Sequence, residues 1–385
     1  LDHPEENYPI IHVTGTNGKG SSIAFMSQLF AEHKKKVGTF TSPHMVSIYD
    51  RICVNHKPIS DKDFVRIGRR IQAMERQLLR TQDSLSYFEI LTLIALLYFE
   101  EEQVDVALIE VGIGGLLDAT NVVIGDVAVV TSVGLDHQET LGDSIVAIAE
   151  QKAGIFKKKE RAVIGPLAEE ARRVCELRAD ELGVVLYEYG RDFSFSKGQF
   201  SNQDKMIVGL QLGLKGTYQE ENAAVALQSF LLFMKQQNWQ PQVKWIRKAL
   251  QETHWAGRLE YFERGIYLDG AHNLPALSRL VEFIRQQEQK EIFLLFGALK
   301  RKNYQGMLSY LQQELPHVQL FVTTFEDDGA IDKRNLTTET YVSSYREFIE
   351  QFIKNSTDNQ LLFVTGSLYF IAEVRAFLLE KELTA

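Results

Sequence analysis

The chain has 385 residues, 45% of them hydrophobic, which is enough to bury a large core and favours two domains over one. A formal net charge of −9 argues against general affinity for nucleic acid or an anionic membrane, so basic groups that matter must act locally. Cys53 and Cys175 lie far apart and form no metal-like pair, which fits a reduced cytoplasmic setting, and no apolar run is long enough to span a bilayer.

No signal-peptide pattern opens the chain. The first residue is Leu1 and "LDHPEENYP" runs straight into a core strand, so a leading segment is expected to be missing. "PIIHVTG" is an apolar run ending in glycine, and a helix-compatible stretch follows from Lys19 to about His33. "KVGTFTS" reads as the next strand, with helices over 61–80 and 86–102, the second carrying the apolar face "YFEILTLIALLYF". "VDVALIEVG" and "DVAVVTSVG" are continuous β-branched runs, as expected of strands buried on both faces of a parallel sheet. The alternation to about Leu182 predicts a doubly wound α/β domain. The cluster "KKKE" at 157–160 reads as a solvated turn, and 184–213 as an antiparallel excursion. Helices at about 220–236 and 242–252 close this part. After "HWAGRLE" the runs "GIYLDGA", "EIFLLFGAL", "VQLFVTTF" and "QLLFVTGSL" predict four strands of a second, smaller α/β domain. Sites in such folds lie beyond the carboxyl ends of strands, and a crevice between the two domains is the default location.

Strand, "GTNGKGSS" and helix in that order favour nucleotide binding. The loop nevertheless departs from G-x-x-x-x-G-K-[ST], with Val13 in place of the first glycine and Gly20 after Lys19. Gly15 and Gly18 let the backbone turn so that its N–H groups face phosphate oxygens, and Lys19 would place charge on the outer phosphates. With no hydroxyl directly after Lys19, a metal must find other oxygens. Glu110 ends a buried strand, where a carboxylate is costly unless paired or metal-bound. His137 follows another strand, and its chemistry alone favours Zn²⁺ or Mn²⁺ over Mg²⁺, although a lone loop histidine is by default a surface residue. Ser42 closes the second strand, and Lys152 by default is an exposed helical lysine.

The motifs "GTNGKGS", "TSPHMVSIYDRI", "EVGIGGLLDATN", "DHQETLGDS", "AEQKAGIFK", "WAGRLE", "LDGAHN" and "TGSLY" occur in this order along nearly the whole chain. In this the sequence resembles the folylpolyglutamate synthases, including the bifunctional bacterial enzymes that are also dihydrofolate synthases, within the Mur ligase superfamily. The variant loop is that family's usual form. The resemblance implies a P-loop-containing Mur ligase-like domain over 1–257 and a smaller Rossmann-like α/β glutamate ligase domain over 258–385. It implies ATP-dependent ligation of L-glutamate to a folate, or to dihydropteroate, through an acyl phosphate.

The resemblance also implies site roles. Gly15, Thr16, Asn17, Gly18, Lys19, Gly20 and Ser21 would hold the triphosphate, and Asn222, Arg258 and Asp269 would contact the nucleotide. Ser42 and Glu110 would ligate one Mg²⁺, with Glu110 and His137 around a second. Lys152 would be carboxylated by CO₂ and serve the second metal, and His272 would act from the C-terminal domain. Phe88 and Leu117–Asp118–Ala119 would line the pterin pocket, although Phe88 alone reads as core, and part of that pocket would come from residues before Leu1. ATP, folate and glutamate are the expected small-molecule partners of a cytoplasmic monomer. The sequence departs from the family's usual pattern at Leu116, Tyr218, Arg301 and Asn303, on the folate or glutamate side. A Mur-type peptidoglycan ligase and a P-loop ATPase or kinase are the alternatives. A divergent paralogue that ligates weakly is a further one. A Rossmann dehydrogenase, prompted by "GIGG" at 112–115, is set aside on spacing.

Overall fold

The continuous apolar runs of the first half become one eight-stranded sheet in the structure, a computed structural model describing residues 1–78, 84–158, 160–287, 290–336 and 340–381. Its strands are β1 (Ile10–Thr14), β2 (Val37–Phe40), β3 (Ile52–Val54), β4 (Lys57–Pro58), β5 (Val106–Glu110), β6 (Val127–Val130), β7 (Arg161–Ile164) and β8 (Val185–Glu188), in the order β4-β3-β2-β5-β1-β6-β7-β8. From β2 to β8 across the sheet all pairings are parallel, and β3 and β4 turn back antiparallel at one edge. The central strands β1, β5 and β6 are buried at every position because helices cover both faces. The helices of this part are α1 (Lys19–Glu32), α2 (Asp61–Leu78), α3 (Tyr87–Glu101), the short α4 (Gln138–Leu141), α5 (Ile145–Ala153), α6 (Glu169–Leu182), α7 (Tyr218–Gln236) and α8 (Val243–Glu252).

Local chemistry sets the helix ends. Ser86 caps α3 by accepting from the Glu89 amide, and the Glu89 carboxylate accepts from the Ser86 amide, so two orphan N–H groups are satisfied together. Behind this cap Leu91, Ile94, Leu97 and Phe99 enter one core with Phe40, Ala107 and Ile109. Each such fully buried large side chain contributes about 1.5–3 kcal/mol. A second core joins β6 and β7 to α5 and α6 through Val130, Ile164, Ala153 and Cys175.

Two expectations change. The stretch after 184 begins with β8, which extends the main sheet in parallel beside β7, so the antiparallel excursion is confined to β9 (Phe193–Ser196), β10 (Gln199–Asn202) and β11 (Met206–Ile207). "KKKE" is a solvated turn only in part, with Lys158 exposed and residue 159 outside the described residues. Glu160 is buried and its carboxylate accepts from the amides of Gly125 and Lys157 at 2.7 and 2.8 Å, which ties the turn to the segment leading into β6. The helix expected over 61–80 is described as far as Leu78, and residues 79–80 lie outside the described residues.

The chain divides into two compact units, Leu1–Gly213 with Gln219–Thr253, and Leu214–Tyr218 with His254–Ala385. The second carries a six-stranded sheet of β12 (Glu260–Phe262), β13 (Ile266–Leu268), β14 (Glu291–Phe296), β15 (Gln319–Thr323), β16 (Thr340–Val342) and β17 (Gln360–Thr365). Its order is β12-β13-β17-β14-β15-β16, parallel except for β12. The four expected strands are β13, β14, β15 and β17, while the three-residue edge strands β12 and β16 are too short to show in the sequence pattern. Helices α9 (Leu274–Arg285), α10 (Tyr304–Glu314), α11 (Tyr345–Asn355) and α12 (Leu368–Glu380) complete the unit. Tyr267 stacks on Phe363 at 5.0 Å in its core.

Candidate active site

In the first unit, β1 lies between β5 and β6, and the order reverses there: the chain leaves β1 for β2 on the β5 side, while the chain leaving β5 crosses to β6 on the other side. The crevice that opens at such a reversal is where α/β sheets bind ligands. The carboxyl end of β1 enters the glycine loop. Gly18 has φ 88° and caps α1, and a Cβ there would collide with the Asn222 side-chain oxygen. A Cβ at Gly15 would strike the Thr131 hydroxyl, so only glycine fits either position. Lys19 donates from Nζ to the Gly15 carbonyl at 2.9 Å, folding back over the loop.

The next strand end holds the loop from beneath. The Ser132 hydroxyl accepts from the Asn17 amide and donates to the Asn17 carbonyl, both at 2.9 Å, and Thr131 donates to the same carbonyl at 2.6 Å. The Thr16 hydroxyl donates to the Gly134 carbonyl at 3.1 Å. On α7, Gln219 donates to the Ser21 hydroxyl at 3.4 Å and accepts from Asn222 at 2.9 Å. Thr131, Ser132 and Gln219 were not read as site residues from the sequence. Two hydroxyls directly after "DVAVV", at the sheet edge that carries the loop, were the available signal.

Glu110, 3% exposed, pairs in register with Val13, and one carboxylate oxygen accepts from the Ser42 amide at 3.1 Å while the other lies 3.9 Å from Lys19 Nζ. Ser42, Glu110 and Lys19 are thereby brought together. His137 stands at φ 51° before α4, with its amide on the Asp136 carboxylate at 2.9 Å and Nδ1 4.0 Å from Glu139.

Lys152 corrects the exposed-lysine expectation. It is 3% exposed in the last turn of α5, because that turn packs under the loop of residues 114–116. Burial pushes its amine down from 10.5 to about 7, the positive charge of Lys19 adds to this, and Asp136 opposes it.

Directly after Glu110 the chain turns into a cavity of about 740 Å³ whose lining includes Phe88, Ile113, Leu117, Asp118 and Ala119. Phe88 is half-buried, stacks on Phe40 at 5.6 Å and packs against the core, so it forms the wall between core and cavity. Leu116 lines the same cavity.

The second unit holds Arg258, Asp269 and His272. Asp269 follows β13, is buried, and accepts from the amides of Leu259 and Ala271, each at 3.0 Å. Burial raises its pKa, and Arg258 opposes the rise. His272 donates from Nδ1 to the Gly270 carbonyl at 2.8 Å. Tyr218 packs against this unit's core, Asn303 caps α10 through the Gly306 amide at 3.1 Å, and Arg301 is exposed.

The family model of the Mur ligase middle domain matches residues 13–230, and that of the Mur ligase glutamate ligase domain matches 257–368. The folylpolyglutamate synthase of Lacticaseibacillus casei is 34% identical over 98% of this chain and 92% of its own length. The chain belongs to the folylpolyglutamate synthase family of Mur ligases. The dihydrofolate synthase/folylpolyglutamate synthase of Bacillus subtilis is likewise 34% identical, over 97% of this chain and 91% of its own. Among solved folylpolyglutamate synthases, an AMPPCP–folate complex superposes with a TM-score of 0.87 at 34% identity, covering 98% of this chain and 92% of that one. The bifunctional Yersinia pestis enzyme with AMPPNP and a Mn ion gives 0.86 at 28% identity, covering 97% and 90%. The family's two α/β domain types are thus both present here.

Proposed function

We propose that this protein joins L-glutamate to a folate through an amide bond, driven by ATP. An oxygen of the folate carboxylate attacks the terminal phosphorus, ADP leaves, and an acyl phosphate forms. The glutamate amine then attacks the acyl carbon, and phosphate leaves as the amine loses its proton. Such a reaction needs little from protein groups beyond alignment and charge neutralisation. The amides of Gly15 to Ser21 would cradle the triphosphate, with Lys19 on its outer phosphates. Asn222, Arg258 and Asp269 would contact the nucleotide, and His272 would act on it from the C-terminal domain. The observation that carries the reading is the continuity of one strand exit: Glu110 lies 3.9 Å from Lys19, and the residues after it line the cavity with Phe88.

A divalent ion fits this edge because the buried Glu110 carboxylate offers hard oxygens in a place where charge is costly. Ser42 and Glu110 would hold one Mg²⁺, and Glu110, His137 and a carboxylated Lys152 a second. Imidazole suits Mn²⁺ better, so both ions are expected to support the reaction. Bound there, the ions would neutralise charge on the transferring phosphoryl group. Lys152 is suited to carboxylation because CO₂ adds only to a neutral amine, which loses a proton as the N–C bond forms. Burial supplies that neutral form.

Residues 1–257 are assigned to ATP binding and 258–385 to glutamate ligation, in a cytoplasmic monomer. None of the described helices is long and apolar enough to cross a membrane. Incubation with ATP, Mg²⁺, L-glutamate and either tetrahydrofolate or dihydropteroate tests the assignment and separates one activity from two. Amide product, ADP and phosphate are expected in equal amounts. ATP turnover that persists without acceptor and glutamate would instead favour a P-loop ATPase.

A further inference from the structure

A strand at the centre of a parallel sheet is ordinarily apolar on both faces. Here β1 departs from this: His12 and Thr14, two residues apart and so on one face, are 1% and 0% exposed. Burying such groups is unfavourable unless they are hydrogen-bonded, and both find partners on one loop, the segment that walls the cavity. Thr14 donates its hydroxyl to the Gly114 carbonyl at 2.5 Å. His12 Nε2 meets the Thr120 hydroxyl at 2.9 Å, and Thr120 in turn donates to Asp118 Oδ1 at 2.6 Å. Asp118 closes the chain by accepting from the Ile113 amide at 2.9 Å and the Thr120 amide at 3.0 Å.

The directions of these bonds follow from the inventory of donors. A carboxylate accepts, so the Thr120 proton points to Asp118, and the Thr120 oxygen must receive from His12. The imidazole therefore carries its proton on Nε2. Burial, with the nearby Lys157 charge, pushes the ring down to about 3, which keeps it neutral with one N–H. Its Nδ1 is buried without a hydrogen-bond partner among the described residues, so Nε2 is the atom through which His12 acts.

We propose that His12 is a positioning residue for the acceptor: through Thr120 and Asp118 it fixes the shape of the cavity loop from residue 113 to 120. It does so although it stands only three positions before Gly15, in the strand that feeds the phosphate loop. This rests on the reading of the cavity as the folate site. A residue of that strand that served only the core would affect both substrates together. A tether to the cavity loop affects one.

The test is steady-state kinetics with tetrahydrofolate as the varied acceptor, then with ATP varied. His12→Leu, which fills the space without a donor, is expected to raise the acceptor KM about 10-fold, with kcat and the ATP KM within about twofold, as for one lost buried hydrogen bond. His12→Gln, which returns an N–H at the ε position, is expected to recover most of that loss. Thr120→Val breaks the same chain at its middle and should reproduce the Leu phenotype if His12→Leu does not fold. Equal rises in the acceptor and ATP KM, or no recovery with Gln, would overturn the proposal. Phe88→Ala separates the two claims. If it raises the acceptor KM while His12→Leu does not, the tether fails and the folate cavity stands. If it leaves the acceptor KM unchanged, the cavity assignment fails and the tether falls with it.

Discussion

The carboxyl edges of the two sheets look alike in sequence, each a buried strand running into glycine, yet they hold charge in opposite ways. In the first unit Lys19, Glu110 and Lys152 are gathered at one edge, and the Lys152 amine is driven towards neutrality by burial and by Lys19. In the second unit Asp269 is just as buried but is closed by two backbone amides, with Arg258 as its opposing charge. The contrast separates an edge where like and opposite charges crowd together, the one proposed for the triphosphate and cations, from an edge where a buried carboxylate is held by backbone amides. Preorganised groups of the first kind are where developing charge is stabilised.

The largest expected break in this comparison is Lys19→Ala, which should lower the ligation rate by roughly 10²-fold or more through lost stabilisation of phosphoryl charge. Unchanged turnover would make the lysine a structural clamp on Gly15. Next comes Glu110→Gln, which removes the carboxylate but keeps the acceptor for the Ser42 amide. The Mg²⁺ concentration for half-maximal rate should rise about 10- to 100-fold, and an unchanged Mg²⁺ titration would remove Glu110 from the metal site.

Lys152→Ala sharpens the contrast at the chemical level. Formate or acetate should restore part of its activity if a carbamate is the working group, and absence of rescue would leave Lys152 as a plain buried amine. The sign of the pH dependence follows from the lowered pKa. The neutral amine that CO₂ requires predominates above about 7 and is lost below it. Wild-type protein freed of CO₂ should therefore regain activity in bicarbonate faster above pH 7 than below.

The smallest effect is expected at Glu160, whose carboxyl is raised by burial from 4.5 to about 7. A raised folded pKa means that the folded state holds the proton more tightly. Its contribution to stability is full below the unfolded value and lost as pH rises through about 7. Glu160→Gln does not titrate, so its loss of Tm between mildly acidic and mildly alkaline pH should be smaller by a few degrees. An equal loss in both proteins would show that Glu160 does not carry the pH response.

The residues that could be read from the sequence are those whose constraints are local. Gly15 and Gly18 announce a backbone that only glycine adopts beside a strand end, and Glu110 stands out as a carboxylate in an apolar run. What stayed hidden depends on packing between distant segments. Lys152 looks like any helical lysine until the loop at 114–116 covers it, and Glu160 like a turn residue until the Gly125 amide reaches it. The same holds for β8. Its pattern does not say which sheet it joins, and only the free edge of β7 decides. His12 and Thr14 interrupt the apolar pattern visibly, but their partners lie about a hundred positions away.

Oxygen-isotope transfer addresses the central claim most directly. A tetrahydrofolate labelled with oxygen-18 in its acceptor carboxylate, turned over with ATP and L-glutamate, should deliver one labelled oxygen into each phosphate released. Amide formation with unlabelled phosphate would contradict activation of the acid by phosphoryl transfer.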